Sequence, residues 1–223
     1  MGIGNKPTLL TYTPKDIFLF ENKFFKILDS GIWKNFQLGD AELNLEIENI
    51  YVDNQNFTII PDELWSHIPE NEKQSFIAAD QNNLKFLNYG ISKYESQVYW
   101  GIEKSTLESI KKNFPSSNIR HFCESIILFS KYDLQLNFFL GEQCIYISSF
   151  NKKKLVLVNR YEIENSDDSL YFILSVIKES KFITQNFNIE NWGINDGNLI
   201  SKLKDVFPNN TIHYNKESNY KNF

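Results

Sequence analysis

Apolar positions recur with a period of two in some stretches of this chain and of about 3.6 in others, which separates strands from helices. In the second half, apolar runs divided by turn residues predict strands at 134–140, 144–150 and 155–161. An i, i+3, i+4, i+7 stripe then predicts a helix over 166–181, through Leu170, Ile173, Leu174 and Ile177. The second half therefore begins as three strands and a helix.

A strand at Trp192, a helix over 198–207 and a strand at 211–214 follow, so the second half has the order β-β-β-α-β-α-β. The first half predicts the same order, with a strand-and-helix insertion at about 51–90. Its predicted elements are a hairpin at 17–28, strands at 32–36, 57–60, 84–88 and 98–102, and helices over 40–50, 62–67, 71–79, 105–114 and 121–131.

Two segments about 92 residues apart also share a pattern of residues. Residues 100–102 and 192–194 both read Trp-Gly-Ile, and residues 114–115 and 207–208 both read Phe-Pro. Each segment predicts a strand, a turn, a helix ended by Phe-Pro, and a second strand. Units of this kind also resemble one another through shared packing requirements, which is the alternative to a true duplication.

A duplication predicts two related lobes. We assign residues 1–122 to the first lobe, with the insertion at about 51–90, and residues 123–214 to the second, followed by a polar tail at 215–223. Because ligand clefts often lie between such lobes, a binding site is expected between them.

Composition narrows the classes of function. The 223 residues carry a net charge of −5, which argues against nucleic acid as the main partner, since phosphate contacts need a basic face. No apolar stretch is long enough to span a membrane, and no hydrophobic signal core follows the first residues. We therefore expect a cytoplasmic protein.

Candidate chemistry is sparse. The two cysteines and three histidines lack metal-ligand spacing, so no metal site is predicted. Asp167 and Asp168 are interpreted as first-turn acids of a helix rather than as a catalytic pair. Arginine occurs only at positions 120 and 160, so anion recognition would fall to lysine or backbone amides. We assign no catalytic residue.

The predicted order resembles the actin-like ATPase fold, in which two ribonuclease-H-like lobes each have the order β-β-β-α-β-α-β around a mixed sheet. The segments that carry the resemblance are 57–61, 99–114, 155–161 and 169–174. They look like those of a bacterial domain-of-unknown-function family with this fold, related at fold level to bacterial pilus-assembly and cell-division actin homologues. The resemblance covers about 15–214 and implies an α/β protein with an insertion in its first lobe.

The resemblance also implies where a nucleotide would bind. Active members of the superfamily carry an Asp-x-Gly-x-x-x-Thr phosphate loop in the first hairpin of each lobe, where glycine lets the backbone approach the phosphate. In the second lobe, Asn137 stands near the acidic position, Phe139 replaces the first glycine, and only Gly141 remains. The loop of the second lobe is therefore interpreted as degraded.

The other parts of the implied nucleotide site are altered as well. The first hairpin offers Glu21 but no glycine, and the adenosine-side turn contains Asp196 and Gly197 in place of a Gly-Gly pair. The candidate remnants of the nucleotide cleft are therefore Glu21, Asn137, Gly141, Asp196 and Gly197.

These observations favour a non-catalytic actin-like binding or scaffolding module that has no cofactor and whose partner is an unknown protein. The alternative is an active ATPase or kinase-like phosphotransferase that binds Mg-ATP through atypical residues, with Glu21, Asn137, Asp167 and Asp196 as metal or water positioners. That alternative requires the four side chains to converge on one cleft. A homo-oligomer or filament is a further possibility, because the actin-like fold assembles in several families.

Overall fold

Three sheets and six helices make up the part of the chain that the structure describes. The computed structural model describes residues 15–20, 23–27, 33–37, 47–77, 82–128, 130–182 and 186–214. The strands are β1 (Asp16–Phe20), β2 (Lys23–Ile27), β3 (Trp33–Phe36), β4 (Asn49–Val52), β5 (Phe57–Pro61), β6 (Leu84–Ile91), β7 (Ser96–Glu103), β8 (Asn118–His121), β9 (Leu134–Leu140), β10 (Cys144–Asn151), β11 (Lys154–Glu162), β12 (Asn188–Asn191) and β13 (Thr211–Tyr214). The helices are α1 (Asp62–Trp65), α2 (Glu70–Ser75), α3 (Lys104–Asn113), α4 (Cys123–Ile127), α5 (Ser166–Glu179) and α6 (Gly197–Val206).

Two of the sheets have five strands and the same topology. The first has the order β3-β2-β1-β4-β8, and the second has the order β11-β10-β9-β12-β13. In both, three strands pair antiparallel and two further strands pair parallel. Parallel neighbours need a crossover connection, which α5 and α6 provide in the second sheet. The predicted α/β class with mixed sheets is confirmed.

The second sheet forms because its central strands are buried on both faces. Six of the seven residues of β9 and seven of the eight residues of β10 are buried. Helix α5 is fixed at its start by a capping box, in which the Asn165 side chain accepts from the Asp167 and Asp168 amides and the Asp168 carboxylate accepts from the Asn165 amide. Its apolar stripe is buried at Ile173, Val176 and Ile177.

The third sheet has three antiparallel strands in the order β5-β7-β6. It lies in the chain between β4 and α3, together with α1 and α2. Because β7 belongs to it, the segment that departs from the repeated strand order continues to Glu103, past the predicted end near residue 90. It also starts after Val52, since β4 is part of the first sheet.

The Trp-Gly-Ile match between the two halves is wrong as a structural correspondence. Trp100 lies in β7 of the third sheet, whereas Trp192 follows β12 and donates its backbone N–H to the Phe138 carbonyl at 2.9 Å. The strand that matches β12 in the first sheet is β4. The Phe-Pro part does correspond, because α3 ends at Phe114 with φ −136° and ψ 66°, and α6 ends at Phe207 with φ −124° and ψ 64°.

Two predicted helices differ from the structure. For the helix predicted over 40–50, residues 49–50 belong to β4, which pairs with β1 and β8, and residues 40–46 lie outside the described part of the chain. The helix predicted over 121–131 is reduced to α4, because His121 pairs in β8 and the Lys131 amide donates to Gln135 Oε1 at 2.7 Å. The predicted polar tail at 215–223 also lies outside the described residues.

The two glycines of the Trp-Gly-Ile segments give a matched pair of mutations. A Cβ on Gly193 would overlap the backbone of Leu140, whereas a Cβ on Gly101 would lie 2.9 Å from the end of the Leu84 side chain, which can rotate away. We expect Gly193→Ala to lower the free energy of unfolding by about 3 kcal/mol or more and Gly101→Ala by less than about 1 kcal/mol, measured by urea denaturation. Equal losses for the two variants would contradict this account.

Candidate functional site

Four aromatic rings fill the space between the end of β1 and the end of β9. This ring cluster consists of Phe20, Phe122, Phe139 and Tyr146, each at most 2% exposed. The Phe20 ring lies 4.9 Å from Phe122 and 5.0 Å from Phe139, and the Phe122 ring lies 4.9 Å from Phe139 and 5.1 Å from Tyr146. The rings meet tilted or edge-on, which is the favourable arrangement. The cluster packs the first sheet against the second.

A buried polar network lies beside the ring cluster, where β4 ends. This Asp53 network consists of Asp53, Asn54, His121, Tyr146 and Arg160. Arg160 donates to both Asp53 oxygens, from Nε at 2.9 Å and from Nη2 at 3.4 Å, and the Tyr146 hydroxyl donates to Asp53 Oδ1 at 2.7 Å. The Arg160 and Asp53 side chains are 12% and 7% exposed. The network ties the end of a first-sheet strand to two strands of the second sheet.

His121 is held in one protonation state by its two partners. Nε2 lies 2.8 Å from the Asn54 carbonyl oxygen, and Nδ1 accepts from the Cys123 amide at 3.1 Å. A carbonyl requires a donor and an amide N–H requires an acceptor, so the imidazole is neutral with its proton on Nε2. The Phe57 ring stacks on the imidazole at 4.3 Å. His121 is therefore a packed structural residue that joins β8 to the turn after β4.

Burial and charge shift the pKa values of this network. Burial lowers the pKa of His121 to about 4. Burial raises the pKa of the Tyr146 hydroxyl well above its usual range, and the Asp53 charge adds to the rise. Burial alone would lower the pKa of the Arg160 guanidinium, but its hydrogen bonds and charge interaction with Asp53 raise it. The network at neutral pH thus contains an ion pair, a neutral imidazole and a neutral phenol.

Both ends of the Asn137 side-chain amide are hydrogen-bonded inside the fold. It is buried on β9, its Oδ1 accepts from Gln135 Nε2, and its Nδ2 donates to the Ile126 carbonyl of α4 at 3.0 Å. Ser148 Oγ lies 3.3 Å from the same carbonyl. Because α4 covers this face of the sheet, the Asn137 amide holds a helix in place near the position that the resemblance assigns to the acid of an active phosphate loop.

The other predicted site residues have local structural roles. Asp196 caps α6, since its Oδ1 accepts from the Asn198 and Leu199 amides at 2.9 and 3.2 Å, and its Oδ2 accepts from the Ser166 hydroxyl of α5 at 2.5 Å. A Cβ on Gly197 would meet nothing within 4 Å. Asp167 forms an ion pair with Lys202. Glu21 lies outside the described residues.

Of the predicted candidates, Gly141 lies beside Ile194, which leads into the predicted adenosine-side turn at Asp196 and Gly197. The Gly141 amide donates to the Cys144 carbonyl at 2.9 Å, and the Ile194 amide donates to the Leu140 carbonyl at 2.7 Å. The side chains of Asn137 and Asp196 do not join them at a shared position, because Asn137 is bonded to Gln135 and to α4, whereas Asp196 is bonded to the start of α6 and to Ser166 of α5.

Sequence reasoning missed Glu190, which is 4% exposed in β12. It lies between Asn137 of β9 and His213 of β13 in the strand register. Burial raises the pKa of its carboxyl, while the charges of Lys131 and His213 lower it. The available signal was weak, because Glu190 stands between one apolar residue, Ile189, and one polar residue, Asn191. Among the described residues, no group of three His, Cys, Asp or Glu side chains is placed to hold a metal ion.

Two cavities lie at the borders of the third sheet. A groove of about 1180 Å³, the edge groove, lies between β5 and β11. A smaller cavity of about 360 Å³ lies between β6, α3 and β8, and Lys111 and Arg120 contribute to its lining. Neither cavity is lined by the residues that were predicted as remnants of a nucleotide cleft.

Comparison with families and curated sequences gives one match. A family model described as a protein of unknown function, DUF3822, matches residues 46–209, about three quarters of the chain. No curated protein matches the sequence. In the described part of the chain, no helix is both long enough and apolar enough to cross a membrane.

Solved structures match over nearly the whole chain. A protein from Bacteroides thetaiotaomicron, described as having an actin-like ATPase fold and unknown function, is 17% identical with a TM-score of 0.74, over 92% of this chain and 91% of that one. A PilM–PilN type IV pilus biogenesis complex matches at 10% identity and a TM-score of 0.55, over 89% and 87%. The cytoplasmic domain of EpsL, an inner membrane component of the type II secretion system of Vibrio cholerae, matches at 8% identity and a TM-score of 0.44, over 92% and 86%. The first likeness confirms the predicted actin-like ATPase fold.

The state of His121 predicts a pH dependence of stability. Between its ordinary pKa of 6.5 and its folded value of about 4, the unfolded chain binds a proton that the folded chain does not, so stability falls as the pH falls through this window. We expect His121 to contribute a loss of roughly 3 kcal/mol across it, measured by urea denaturation at several pH values.

Two variants isolate this contribution. His121→Gln should lose this component of the pH dependence, whatever its stability at neutral pH. His67→Gln changes an exposed histidine and should follow the wild-type curve. A His121→Gln curve that runs parallel to the wild type through the window would refute the assignment.

Proposed function

The chain belongs to the DUF3822 family, and we propose that it is a non-catalytic binding or scaffolding module with a degenerate nucleotide cleft. The observation that carries the proposal is the ring cluster between the ends of β1 and β9. In the fold that the chain shares, those strand ends lead into the expected phosphate loops. Here the space beside them is filled by phenylalanine and tyrosine rings.

Aromatic rings are poor surroundings for a triphosphate. A phosphate bound to this fold needs backbone amides and a metal ion at close range, and it loses hydration that apolar rings do not replace. Phe139 stands at the glycine position and is 2% exposed. Asn137 is neutral and is bonded at both ends of its amide. These contacts support the loss of nucleotide binding.

The partner in this proposal is an unidentified protein. The PilM–PilN structure is a complex between a related fold and a second protein, which supports a binding role for this architecture. Self-association into a homo-oligomer is the other form that scaffolding could take. The proposal includes a cytoplasmic location, because the buried free thiols of Cys123 and Cys144 fit a reducing compartment.

Mg-ATP binding tests the proposal directly. A nucleotide at about 100 times its dissociation constant would add roughly 2.7 kcal/mol to the folded state and move the melting midpoint by several degrees. We expect the midpoint in millimolar Mg-ATP to stay within about 1 °C of the value in Mg²⁺ alone. A concentration-dependent rise of the melting midpoint by several degrees, together with phosphate release, would instead support an active Mg-ATP phosphotransferase.

Two substitutions of Asp196 distinguish a role as a helix cap from a role as a metal positioner. We expect Asp196→Ala to lower the free energy of unfolding by about 1–2 kcal/mol, because it loses both the cap and the bond from the Ser166 hydroxyl. Asp196→Asn should cost less, about 1 kcal/mol or below, because asparagine retains the capping oxygen and loses only the oxygen that accepts from Ser166. Denaturation curves of the two variants measure this difference. If wild-type protein released phosphate from Mg-ATP and Asp196→Asn abolished the release without loss of stability, the carboxylate would have a catalytic role.

A further inference from the structure

Two outer strands face each other across the edge groove. In the described sheets, β5 stands at one end of the third sheet beside β7, and β11 stands at one end of the second sheet beside β10. An outer strand presents backbone N–H and C=O groups to whatever lies next to it. The groove is therefore bounded on both sides by backbone that can accept another strand.

Ring contacts at the two ends of the edge groove show the relative direction of β5 and β11. Phe57, at the start of β5, lies 6.2 Å from Tyr146 of β10, opposite the last third of β11. Tyr94, beside the end of β5, lies 5.8 Å from Phe150 of β10, opposite the first residues of β11. The two walls thus run in opposite directions along the groove.

The register of β11 identifies which backbone groups face the groove. The Ile163 amide donates to the Gln143 carbonyl at 3.0 Å, so these residues form a hydrogen-bonded pair. Such pairs alternate with non-bonded pairs along an antiparallel ladder. Counting from this pair, Val158 opposite Ser148 is in a non-bonded pair and directs its N–H and C=O away from β10.

The same reasoning applies to β5. The Gly101 amide donates to the Asn56 carbonyl at 2.8 Å, which marks a bonded pair next to the start of the strand. Ile59, three residues further on, is therefore in a non-bonded pair and directs its backbone groups away from β7. Both walls contribute a donor and an acceptor near the middle of the groove.

The side chains of the groove divide into an apolar stretch and a charged end. The apolar stretch is formed by Ile59, Leu155, Leu157 and Val158. Charged side chains of both signs gather at the end near Tyr94, from Asp62, Glu63, Lys93, Glu95, Lys153 and Lys154. The volume of about 1180 Å³ exceeds the roughly 300–1,000 Å³ of small-molecule sites. Shape and chemistry together fit a short length of polypeptide.

We infer that the edge groove binds an extended segment of another protein, which adds to β11 as a strand. The segment has apolar side chains at alternate positions over about five residues, because successive side chains of a strand point to opposite faces. A charged residue of either sign beyond them meets the charged end of the groove. This inference rests on the proposed binding function and gives it a site and a class of partner.

A single strand fits this edge better than a second copy of the chain. Edge-to-edge pairing of two copies would place a whole sheet beside β11, where β5 already forms the opposite wall. An isolated segment needs only the space between the walls. Pairing between copies is nonetheless a distinct outcome of the test below.

Random dodecapeptides displayed on phage and selected on the full-length chain provide the probe. We expect enriched sequences with alternating apolar residues, and enriched peptides that bind Val158→Pro at least about tenfold more weakly than wild type in a fluorescence polarisation titration. Proline at position 158 removes the outward N–H and leaves the bonds to β10 intact. Val158→Ile keeps both the N–H and an apolar side chain and is the matched control, with affinity close to wild type expected.

The outcomes separate this inference from the proposed function. If Val158→Pro melts below wild type, Val156→Asp replaces it, since that exposed side chain lines the same groove and an acid there opposes an apolar segment. Peptides that bind all variants equally would overturn the groove as the site and leave a binding role standing. No enrichment, or a doubling of the mass in solution that Val158→Pro abolishes, would overturn the inference outright.

Discussion

The largely buried ion pair between Asp53 and Arg160 constrains how the two large sheets meet. Removing two charges from water costs several kcal/mol per ion, and that cost is offset only when the pair has good geometry and its remaining acceptor positions are filled. Asp53 meets this condition by accepting from two guanidinium nitrogens and from the Tyr146 hydroxyl. Because the acid follows β4 and its partners lie in β10 and β11, a displacement between the sheets would leave a charge buried without its partner.

The ring cluster and the third sheet depend on that alignment. With β4 held against β10, the rings of Phe20 and Phe139 meet across the gap, and Phe57 reaches the His121 imidazole. The third sheet is thereby fixed at its β5 edge, and the edge groove takes its width from the distance between β5 and β11. Polar contacts set the alignment, and apolar burial supplies most of the stabilisation.

The sequence predicted best where local pattern decides the structure. In the second half, continuous apolar runs and a capped amphipathic helix leave little choice, and the strand order follows from them. The prediction failed at Ile50. Its apolar spacing is typical of a helix, but Ile50 lies in β4, which pairs with a parallel strand on each side. The sequence could not pair Asp53 with Arg160, because residues 107 positions apart carry no local signal of their contact. The remnants of a nucleotide site were predicted from the resemblance to a phosphate loop. The burial of Asn137 under α4 depends on the tertiary fold and could not be predicted from the sequence.

Arginine is rare in this chain, with two residues against 21 lysines, and both arginines contact two oxygens of one carboxylate. Arg120 does so from Nη1 alone, whereas Arg160 uses two nitrogens of its planar guanidinium, a contact that a lysine point charge cannot reproduce. A lysine at position 160 would therefore leave part of the Asp53 carboxylate without the donor that it has now. The contact that joins the two large sheets is thus made by the rarest basic side chain in the sequence, and the abundant lysines have no equivalent geometry to offer.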